Sequence, residues 1–394
     1  MLSGTRSERP SRANSRPVID QFLSKTSKLV QMRSLRLFVV TLVGLLALTS
    51  CQAAVEPEPA ITTAAPQVTV EPEPEPIYEA APLTGVQYLE GENLYLAMPA
   101  VSAKIDNTFA GRPQLALNDA DIVYVTRVEV GLTRLLPVWH SRMPEAIGPV
   151  RSVRPVDASI VDPFHGVFVY SGGQAPFKSA ATGTGLVISD EDTEMNNETY
   201  YRESTRKAPW NLYFSSQKLQ ELYAAEQPVP QAGFEFDAIP SAVSQGVAAK
   251  GLSVKYPQLK SVWDLGTAKF DWAEPLQIAW LRTQDGTPHT QVGGDQVAAK
   301  NVVVMELVHD LSFVDPKYGA IPKAKLINNE GIAHVFSDGY YLKGSWSKGE
   351  SEDPIILTTE SGEVLKLAIG NTWVEMMDVP KSVLNVSLTE APTE

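Results

Sequence analysis

Cysteine and histidine are scarce in this chain. One of its 394 residues is cysteine and five are histidine, and no two histidines stand at the spacing of metal ligands. A single cysteine excludes an internal disulfide bond and a metal site built on several thiolates. We therefore expect a protein that holds no structural metal and no cofactor.

Sequence motifs of common enzymes are also missing. There is no Gly-rich phosphate loop followed by Lys and Ser or Thr, and no serine stands in a Gly-x-Ser-x-Gly elbow. The sequence thus gives little support to nucleotide hydrolysis or to a serine hydrolase. Whether the protein is an enzyme stays open at this point, and a non-catalytic role is favoured.

Basic residues are too few to balance the acidic ones. The formal net charge is −13, and residues 1–50 hold eight Lys or Arg against two Asp or Glu. The remainder therefore carries 25 basic and 44 acidic residues, a balance of −19. Because phosphate binding depends on clustered cations, an acidic surface of this kind argues against a nucleic-acid partner.

No hydrophobic run in the sequence is long enough to span a bilayer, and the longest run precedes the cysteine. The apolar stretch from Leu37 to Leu48 follows two arginines and is much shorter than the roughly 20 residues that span a bilayer. It leads into Leu48-Thr49-Ser50-Cys51, which resembles the processing site of bacterial lipoproteins. We expect Cys51 to be lipidated and to become the mature amino terminus.

Such a terminus predicts where the protein resides. A diacylated cysteine supplies two acyl chains, which hold a protein stably at a membrane. The expected location is extracytoplasmic, with the lipid on Cys51 anchored in a bacterial membrane. Residues 1–50 are then an N-terminal extension and signal peptide, with Met32 as an alternative start.

Composition divides the rest of the chain. Residues 51–81 repeat Glu-Pro and are poor in large apolar residues, as in a semi-rigid stalk. The following 300 or so residues suit two domains, and we predict an α+β fold class. The predicted parts are a mixed α/β domain at 82–250, a smaller and mostly β domain at 251–384, and a tail at 385–394.

Local patterns in the first domain place polar residues at strand ends. The predicted elements are strands at 101–105, 122–128, 133–139 and 167–170, a short helix through Leu115 and Leu117, and a helix at 156–161 that begins after Pro155. Asp106, Glu129 and Gly172-Gly173 then all follow strands, and Gly131 is the predicted hairpin residue. Ligands gather at such ends when the strands are parallel.

Arg151 and Arg154 raise an electrostatic question. Both lie directly before the predicted helix at 156–161, where the helix dipole is positive, so they require a negative partner. One possibility is an internal carboxylate such as Asp106, Glu129 or Asp157. The other is the phosphate or carboxylate of a bound ligand.

These residues define the candidate site and its two interpretations. The first is a non-catalytic module that binds an anionic small molecule or cell-wall component in an arginine-rich cleft. The alternative is an envelope hydrolase or transferase that uses Asp106 and Glu129 as acid and base. The predicted ligand-binding residues are Asp106, Asn107, Arg112, Glu129, Arg134, Arg151, Arg154, Arg206 and Asn211.

Seven tryptophans are spread along the chain, namely Trp139, Trp210, Trp263, Trp272, Trp280, Trp346 and Trp373. Tryptophan is more often a core residue than a platform for sugars. We therefore predict mainly packing roles for them, with a sugar platform as the alternative.

Several ordered motifs resemble one known family. They are Asp106-Asn107, Gly111-Arg112-Pro113-Gln114, Ala120-Asp121-Ile122-Val123-Tyr124, Gly131-Leu132-Thr133-Arg134, Gly148-Pro149-Val150-Arg151-Ser152-Val153-Arg154, Arg206-Lys207-Ala208-Pro209-Trp210-Asn211-Leu212-Tyr213, Lys300-Asn301-Val302-Val303-Val304 and Gly370-Asn371-Thr372-Trp373. Together they are similar to the YerB-like lipoproteins, over nearly all of 82–377. The resemblance implies two consecutive domains of unknown function. The family usually has Glu-Gly-Gly-Ile-Thr-Arg where this chain has Val130 after Glu129.

Overall fold

The structure is a computed structural model that describes residues 75–190, 199–237 and 241–389. Strands dominate this part of the chain and helices are few and short. The α-helices are α1 (Asp157–Val161), α2 (Ala175–Thr182) and α3 (Ser216–Tyr223), and 3-10 turns occupy Leu94–Ala97, Phe109–Gly111, Glu129–Gly131, Asp162–Phe164 and Ala242–Gln245. Within these residues no helix has the length and apolar character needed to cross a membrane.

The strands run through both predicted domains. The first holds β2 (Gln87–Leu89), β3 (Val101–Ala103), β4 (Ile105–Asp106), β5 (Ile122–Arg127), β6 (Thr133–Trp139), β7 (Val167–Val169), β8 (Val187–Ser189), β9 (Tyr200–Arg202), β10 (Leu212–Phe214) and β11 (Phe236–Asp237). β1 (Tyr78–Ala80) lies in the predicted stalk, and β12 (Val247–Tyr256) crosses the predicted boundary at 250. In the second domain the strands are β13 (Leu259–Phe270), β14 (Ala273–Gln284), β15 (Thr287–Pro288), β16 (Ala298–Ala299), β17 (Asn301–Leu307), β18 (His309–Asp310), β19 (Val314–Asp315), β20 (Gly319–Ala320), β21 (Lys323–Ala324), β22 (Asn329–Ser337), β23 (Tyr340–Lys348), β24 (Ile356–Thr358), β25 (Leu367–Ala368), β26 (Thr372–Asp378) and β27 (Val383–Leu388).

A mixed sheet forms the centre, and its strands include the run β24-β23-β22-β17-β26-β5-β6-β3-β7-β8. β4 also pairs with β6, and β12 pairs with β23. The middle of this sheet joins the two predicted domains, because β5 pairs in parallel with β26, with Ile122 opposite Thr372. The long hairpin of β13 and β14 pairs with β12, and β12 pairs on its other side with β27.

Both faces of the central strands are covered. Ile122 and Tyr124 of β5 contribute to one buried apolar cluster, and the alternating Val123 and Val125 contribute to another. Successive side chains of a strand point to opposite faces, and continuous apolar strands are typical of sheets that are buried on both sides. Residues 301–305, Asn-Val-Val-Val-Met, follow the same rule in β17.

The predicted two-domain division stays a prediction. The described residues from position 75 onward form one compact unit, and the two buried clusters each draw residues from both sides of position 250. The predicted signal peptide, Cys51, most of the stalk and the last residues of the tail lie outside the described residues.

The strand predictions around the candidate site are confirmed, and one helix prediction is wrong. The strands at 101–105, 122–128, 133–139 and 167–170 correspond to β3 with β4, β5, β6 and β7, and α1 follows Pro155. No helix forms through Leu115 and Leu117. The backbone N–H of Leu115 donates to the carbonyl of Gly148, and Ala116 is left-handed at φ 65°, which interrupts a right-handed helix.

The hairpin between β5 and β6 has an unusual turn. Gly131 has φ +80°, as predicted for a turn glycine, but the preceding Val130 is also left-handed at φ 59°. This conformation costs a residue with a Cβ about 1–2 kcal/mol, and Val130 recovers little by packing because it is 65% exposed. The turn directly follows Glu129 and therefore borders the candidate site.

Candidate functional site

Glu129 is neutralised by two arginines. Its Oε2 accepts a hydrogen bond of 2.7 Å from Arg154 Nε, its Oε1 accepts one from Arg154 Nη2, and Arg134 Nη2 lies 3.7 Å from Oε1. Burial raises the pKa of Glu129, but the hydrogen bond from Arg154 and the charges of Arg134 and Arg154 outweigh it and lower that pKa to about 2. Glu129 is therefore an anion at neutral pH.

A buried lysine extends this cluster. Lys104 stands between β3 and β4 and donates hydrogen bonds of 2.6 Å to Thr126 Oγ1 and to Asp157 Oδ1. Asp157 in turn accepts from the backbone N–H of Arg154 at 2.7 Å. Burial lowers the pKa of Lys104 to about 8, against the opposing effect of Asp157. Lys104 was not among the predicted residues, although a lysine within an apolar strand is a signal for a buried partner.

Asp106 has a different arginine. Its Oδ2 lies 2.8 Å from Arg151 Nε, and its Oδ1 accepts a hydrogen bond of 2.6 Å from the backbone N–H of Thr108. The carboxylate is 1% exposed, whereas the Arg151 side chain is 20% exposed. Gly111 packs against this carboxylate, since a Cβ there would stand 2.4 Å from Oδ1. The loop of residues 106–113 is thus closed around its own acid.

Two further arginines are close to this loop: Arg112 is part of it, and Arg206 donates to it from another loop. Arg206 Nη1 donates to the carbonyl of Gly111 at 3.1 Å and its Nη2 donates to the carbonyl of Pro113 at 2.5 Å. The nearest carboxylate oxygen to Arg112 belongs to Asp285, at 4.0 Å, and Arg112 Nε is buried with no hydrogen-bond partner among the described residues. Arg151 Nη1 reaches the carbonyl of Pro209 at 3.3 Å.

We call Arg112, Arg151 and Arg206 the arginine face. Arg112 is part of the loop 106–113, Arg206 donates to two carbonyls of that loop, and Arg151 contacts Asp106 on it and Pro209 on the loop 203–210. Arg134 and Arg154 instead pair with Glu129. The two amides take structural positions. Asn107 Nδ2 donates to Thr133 Oγ1 at 2.8 Å, and Asn211 Oδ1 accepts from Arg202 at 3.1 Å.

A second polar network lies deep in the core, and Arg282 of β14 is its centre. The guanidinium is fully buried at 0% exposure and packs against the rings of Trp263 and Trp373, 5.6 and 5.2 Å from their centroids. Glu375 of β26 lies 3.7 Å away and is also fully buried. Buried charges of this kind are retained only when they are paired.

Glu375 is held by three other donors. It accepts hydrogen bonds from Tyr256 at 2.8 Å, Ser261 at 2.6 Å and Trp263 Nε1 at 3.0 Å. Burial, followed by the charge and hydrogen bond of Glu375, raises the pKa of Tyr256 well above its ordinary value, so Tyr256 donates as a neutral phenol.

The buried network reaches the candidate site through amide side chains. Arg282 Nη1 donates to His289 Nδ1 and to Gln284 Oε1, both at 2.6 Å. An arginine only donates, so His289 Nδ1 accepts and the ring is neutral, with its Nε2 donating to Gln114. Burial and then the charges of Arg282 and Arg112 lower the pKa of His289 well below its usual range.

Two backbone carbonyls complete the connection. Gln114 Nε2 donates to the carbonyl of Asp106 at 2.7 Å, and Gln284 Nε2 donates to the carbonyl of Asn107 at 3.1 Å. The backbone of the candidate site is therefore fastened to the buried arginine of the C-terminal half. Sequence reasoning missed this network. The sequence feature that could have indicated it is the spacing of Trp280, Arg282 and Gln284, which stand at every second position of β14 and so share one face.

The acid and base alternative receives no support from this geometry. General acid catalysis needs a carboxyl group that holds a proton near the working pH, and Glu129 has a pKa of about 2. Asp106 is ion-paired with Arg151 and bonded to Thr108. Of the two possibilities for Arg151 and Arg154, internal carboxylates are the partners that the structure shows.

The described residues enclose several cavities. Three cavities, of about 400, 420 and 470 Å³, have linings that include none of the nine predicted site residues. No three His, Cys, Asp or Glu side chains in this part of the chain are grouped so as to hold a metal ion.

Known proteins resemble this chain over both predicted domains. Residues 83–229 match the family "Protein of unknown function (DUF3048) N-terminal domain", and residues 260–374 match its C-terminal counterpart. The "Putative lipoprotein YerB" of Bacillus subtilis (strain 168) is 25% identical over 301 residues, 75% of this chain and 86% of that protein. The crystal structure of YerB from Bacillus subtilis shares the fold, with a TM-score of 0.63 at 22% identity over 78% of this chain and 99% of that one.

Proposed function

This chain belongs to the YerB-like family, which combines the N- and C-terminal DUF3048 domains, and from that premise we propose a membrane-tethered, non-catalytic binding protein. Its ligand is an anion or an anionic envelope component. The lipid on Cys51 holds the protein to the outer surface of a bacterial membrane. The lipoprotein name of its relative supports the tether, and the arginine face supports the ligand class.

One observation carries the ligand proposal. Three arginines lie on or contact the loops 106–113 and 203–210, where Asp106 pairs with Arg151 and Asp285 lies 4.0 Å from Arg112. Arg206 donates to two backbone carbonyls. The nearby carboxylate of Glu203 accepts a hydrogen bond from the backbone N–H of Thr205. Guanidinium groups with spare donors are well suited to phosphate and carboxylate ligands.

The arginine face differs in charge from the rest of the protein. The chain beyond residue 50 has a formal balance of −19, so a locally cationic surface does not arise from general basic composition. An anion that approaches this protein is repelled over most of the surface and attracted at these loops. The expected consequence is selective binding at the arginine face.

Ligand binding to this face should be visible as thermal protection. In the purified protein, phosphate or polyphosphate at fixed ionic strength should raise the melting temperature, because a ligand at 100 times its Kd stabilises by about 2.7 kcal/mol. Arg206→Gln should remove most of this protection, since it deletes a cation whose contacts are surface carbonyls. The measurement is differential scanning fluorimetry.

The matched control is Lys366→Gln, which removes one cation from an exposed pair with Glu235 and Asp237. It should leave the protection intact. If phosphate, sulfate and polyphosphate all leave the melting temperature of the wild-type protein unchanged, the ligand proposal is refuted.

The tether has its own test. Cys51→Ser should abolish labelling by a radioactive fatty acid and shift the protein from the membrane fraction to the soluble fraction or to uncut precursor, because the sulfur carries the lipid. Cys51 is the sole cysteine, so no other thiol can replace it. Unchanged lipid labelling of the variant would contradict the anchor.

A further inference from the structure

A polar cavity of about 400 Å³ lies outside the arginine face. Its walls come from both halves of the chain: the turn at Asn118 and Asp119, Arg142, the tip of the β13–β14 hairpin with Phe270 and Asp271, and the segment around Gln291 and Gln296. This volume is within the range of small-ligand sites. None of the nine predicted residues contributes to it.

The cavity wall is held in place from within. Asn118 Oδ1 accepts from the backbone N–H of Ala298, its Nδ2 donates to the carbonyl of Gln296, and its backbone N–H donates to Gln291 Oε1. All polar groups of the Asn118 side chain are thereby used for structure. Such fastening positions the remaining polar groups before any ligand arrives, which reduces the ordering cost of binding.

Arg142 and its two carboxylates are spaced too far apart for direct hydrogen bonds. Arg142 Nη1 lies 3.8 Å from Asp119 and 3.9 Å from Asp271, while Nη2 donates to the carbonyl of Asn118 at 2.8 Å. Arg142 Nε is buried without a hydrogen-bond partner in the described part of the chain. Arg142 therefore has an unused donor, and the carboxylates of Asp119 and Asp271 can accept further hydrogen bonds. A polar atom between them would bond to both.

An aromatic ring forms part of the wall. Phe270 stacks on Trp272 with centroids 4.9 Å apart and planes inclined by 19°. Trp272 packs against Gly370, where a Cβ would come within 2.8 Å of the indole. Gly370 belongs to the Gly370-Asn371-Thr372-Trp373 motif, so that motif helps to place the ring. Trp272 is only partly buried, unlike the fully buried Trp263, Trp280 and Trp373.

From this arrangement we infer that the cavity binds a polyhydroxylated ligand, a short segment of glycan. Each hydroxyl both donates and accepts, so it bridges the guanidinium of Arg142 and the carboxylates of Asp119 and Asp271. A purely anionic ligand would meet three aspartates against two cations, because Asp295 and Lys269 also line the space.

Titration calorimetry with N,N′-diacetylchitobiose, cellobiose and maltose tests this inference. The wild-type protein should release heat with at least one disaccharide. Asp271→Asn should weaken that association about tenfold, the effect of losing one hydrogen bond to a charged group. Asp271 is 78% exposed, so its variant should fold normally. Arg142→Gln should have at least as large an effect.

Asp264→Asn is the matched control, because it removes the same group from the same hairpin, six residues from the tip. It should leave the binding constant unchanged. The inference is overturned if no disaccharide binds, if lysine binds and no sugar does, or if the Asp271 and Arg142 variants bind as tightly as wild type. Thermal protection by phosphate at the arginine face involves other residues. The calorimetry result therefore neither supports nor refutes the proposed anion site.

Discussion

Replacing Glu375 by glutamine should lower the free energy of unfolding by about 3–5 kcal/mol, the cost of removing one member of a buried ion pair. Tyr256, Ser261 and Trp263 Nε1 all donate to this carboxylate, and Arg282 lies 3.7 Å from it. The amide retains one acceptor oxygen and adds two donors. Arg282 would then stay in the core without a negative partner.

Urea denaturation followed by tryptophan fluorescence measures this loss, because two of the seven tryptophans border the network. The exposed Glu363→Gln is the control and should change stability by less than about 0.5 kcal/mol. A loss below about 1 kcal/mol for Glu375→Gln would show that the buried pair is not maintained in solution.

The same network predicts cooperative unfolding. Gln114 and Asn107 of the first family domain are bonded to His289 and Gln284 of the second, and β5 is paired with β26. Glu375→Gln should therefore move a single transition, observed at the same urea concentration by fluorescence and by circular dichroism. Two separated transitions would instead support independent domains.

Glu129→Gln should cost about 3 kcal/mol at pH 7, for a related reason. The variant leaves Arg154 and Arg134 in a largely buried position without their counter-charge. Arg134 already reflects this environment, since burial and then the charge of Arg154 lower its pKa to about 10. The comparison is again the midpoint of urea denaturation, with the exposed Glu221→Gln as control.

Stability at acid pH provides an independent readout of Glu129. Its pKa of about 2 in the folded protein lies below the ordinary value of 4.5. A lowered pKa means that the unfolded state binds the proton more readily, so the stabilisation is complete above about pH 4.5 and is lost as pH falls toward 2. The wild-type protein should therefore lose stability as the pH falls from about 4.5 to 2, and Glu129→Gln should lose less over that range. Equal acid sensitivity of the two proteins would refute the ion pair.

Local sequence patterns were sufficient for the strands near the candidate site. The strand Thr133–Trp139 was predicted with the bounds that the structure has, and Gly131 was identified as the hairpin residue. Both depend on neighbours along the chain, namely an apolar run and a residue that tolerates positive φ. The predicted helix through Leu115 failed because its backbone bonds to Gly148, more than thirty residues away.

Pairing of the charges could not be predicted in the same way. The sequence placed Arg151, Arg154, Asp106 and Glu129 in one region, but it could not say that Asp106 takes Arg151 while Glu129 takes Arg154. That choice depends on which strand ends meet. Arg282 and Glu375 lie still farther apart along the chain, and only the packing of β14 against β26 makes them partners.

By itself, the sequence determined the acidic character, the resemblance of residues 48–51 to a lipoprotein processing site, the family and most local strands, because each of these resides in composition or in short contiguous patterns. The tertiary structure alone decided that Arg151 and Arg206 contact the loop that carries Arg112, that Asp106 and Glu129 are each paired with an arginine, and that Arg282 is enclosed in the core. Ion pairs and hydrogen bonds act over a few ångströms in space, and distance along the chain does not predict that separation.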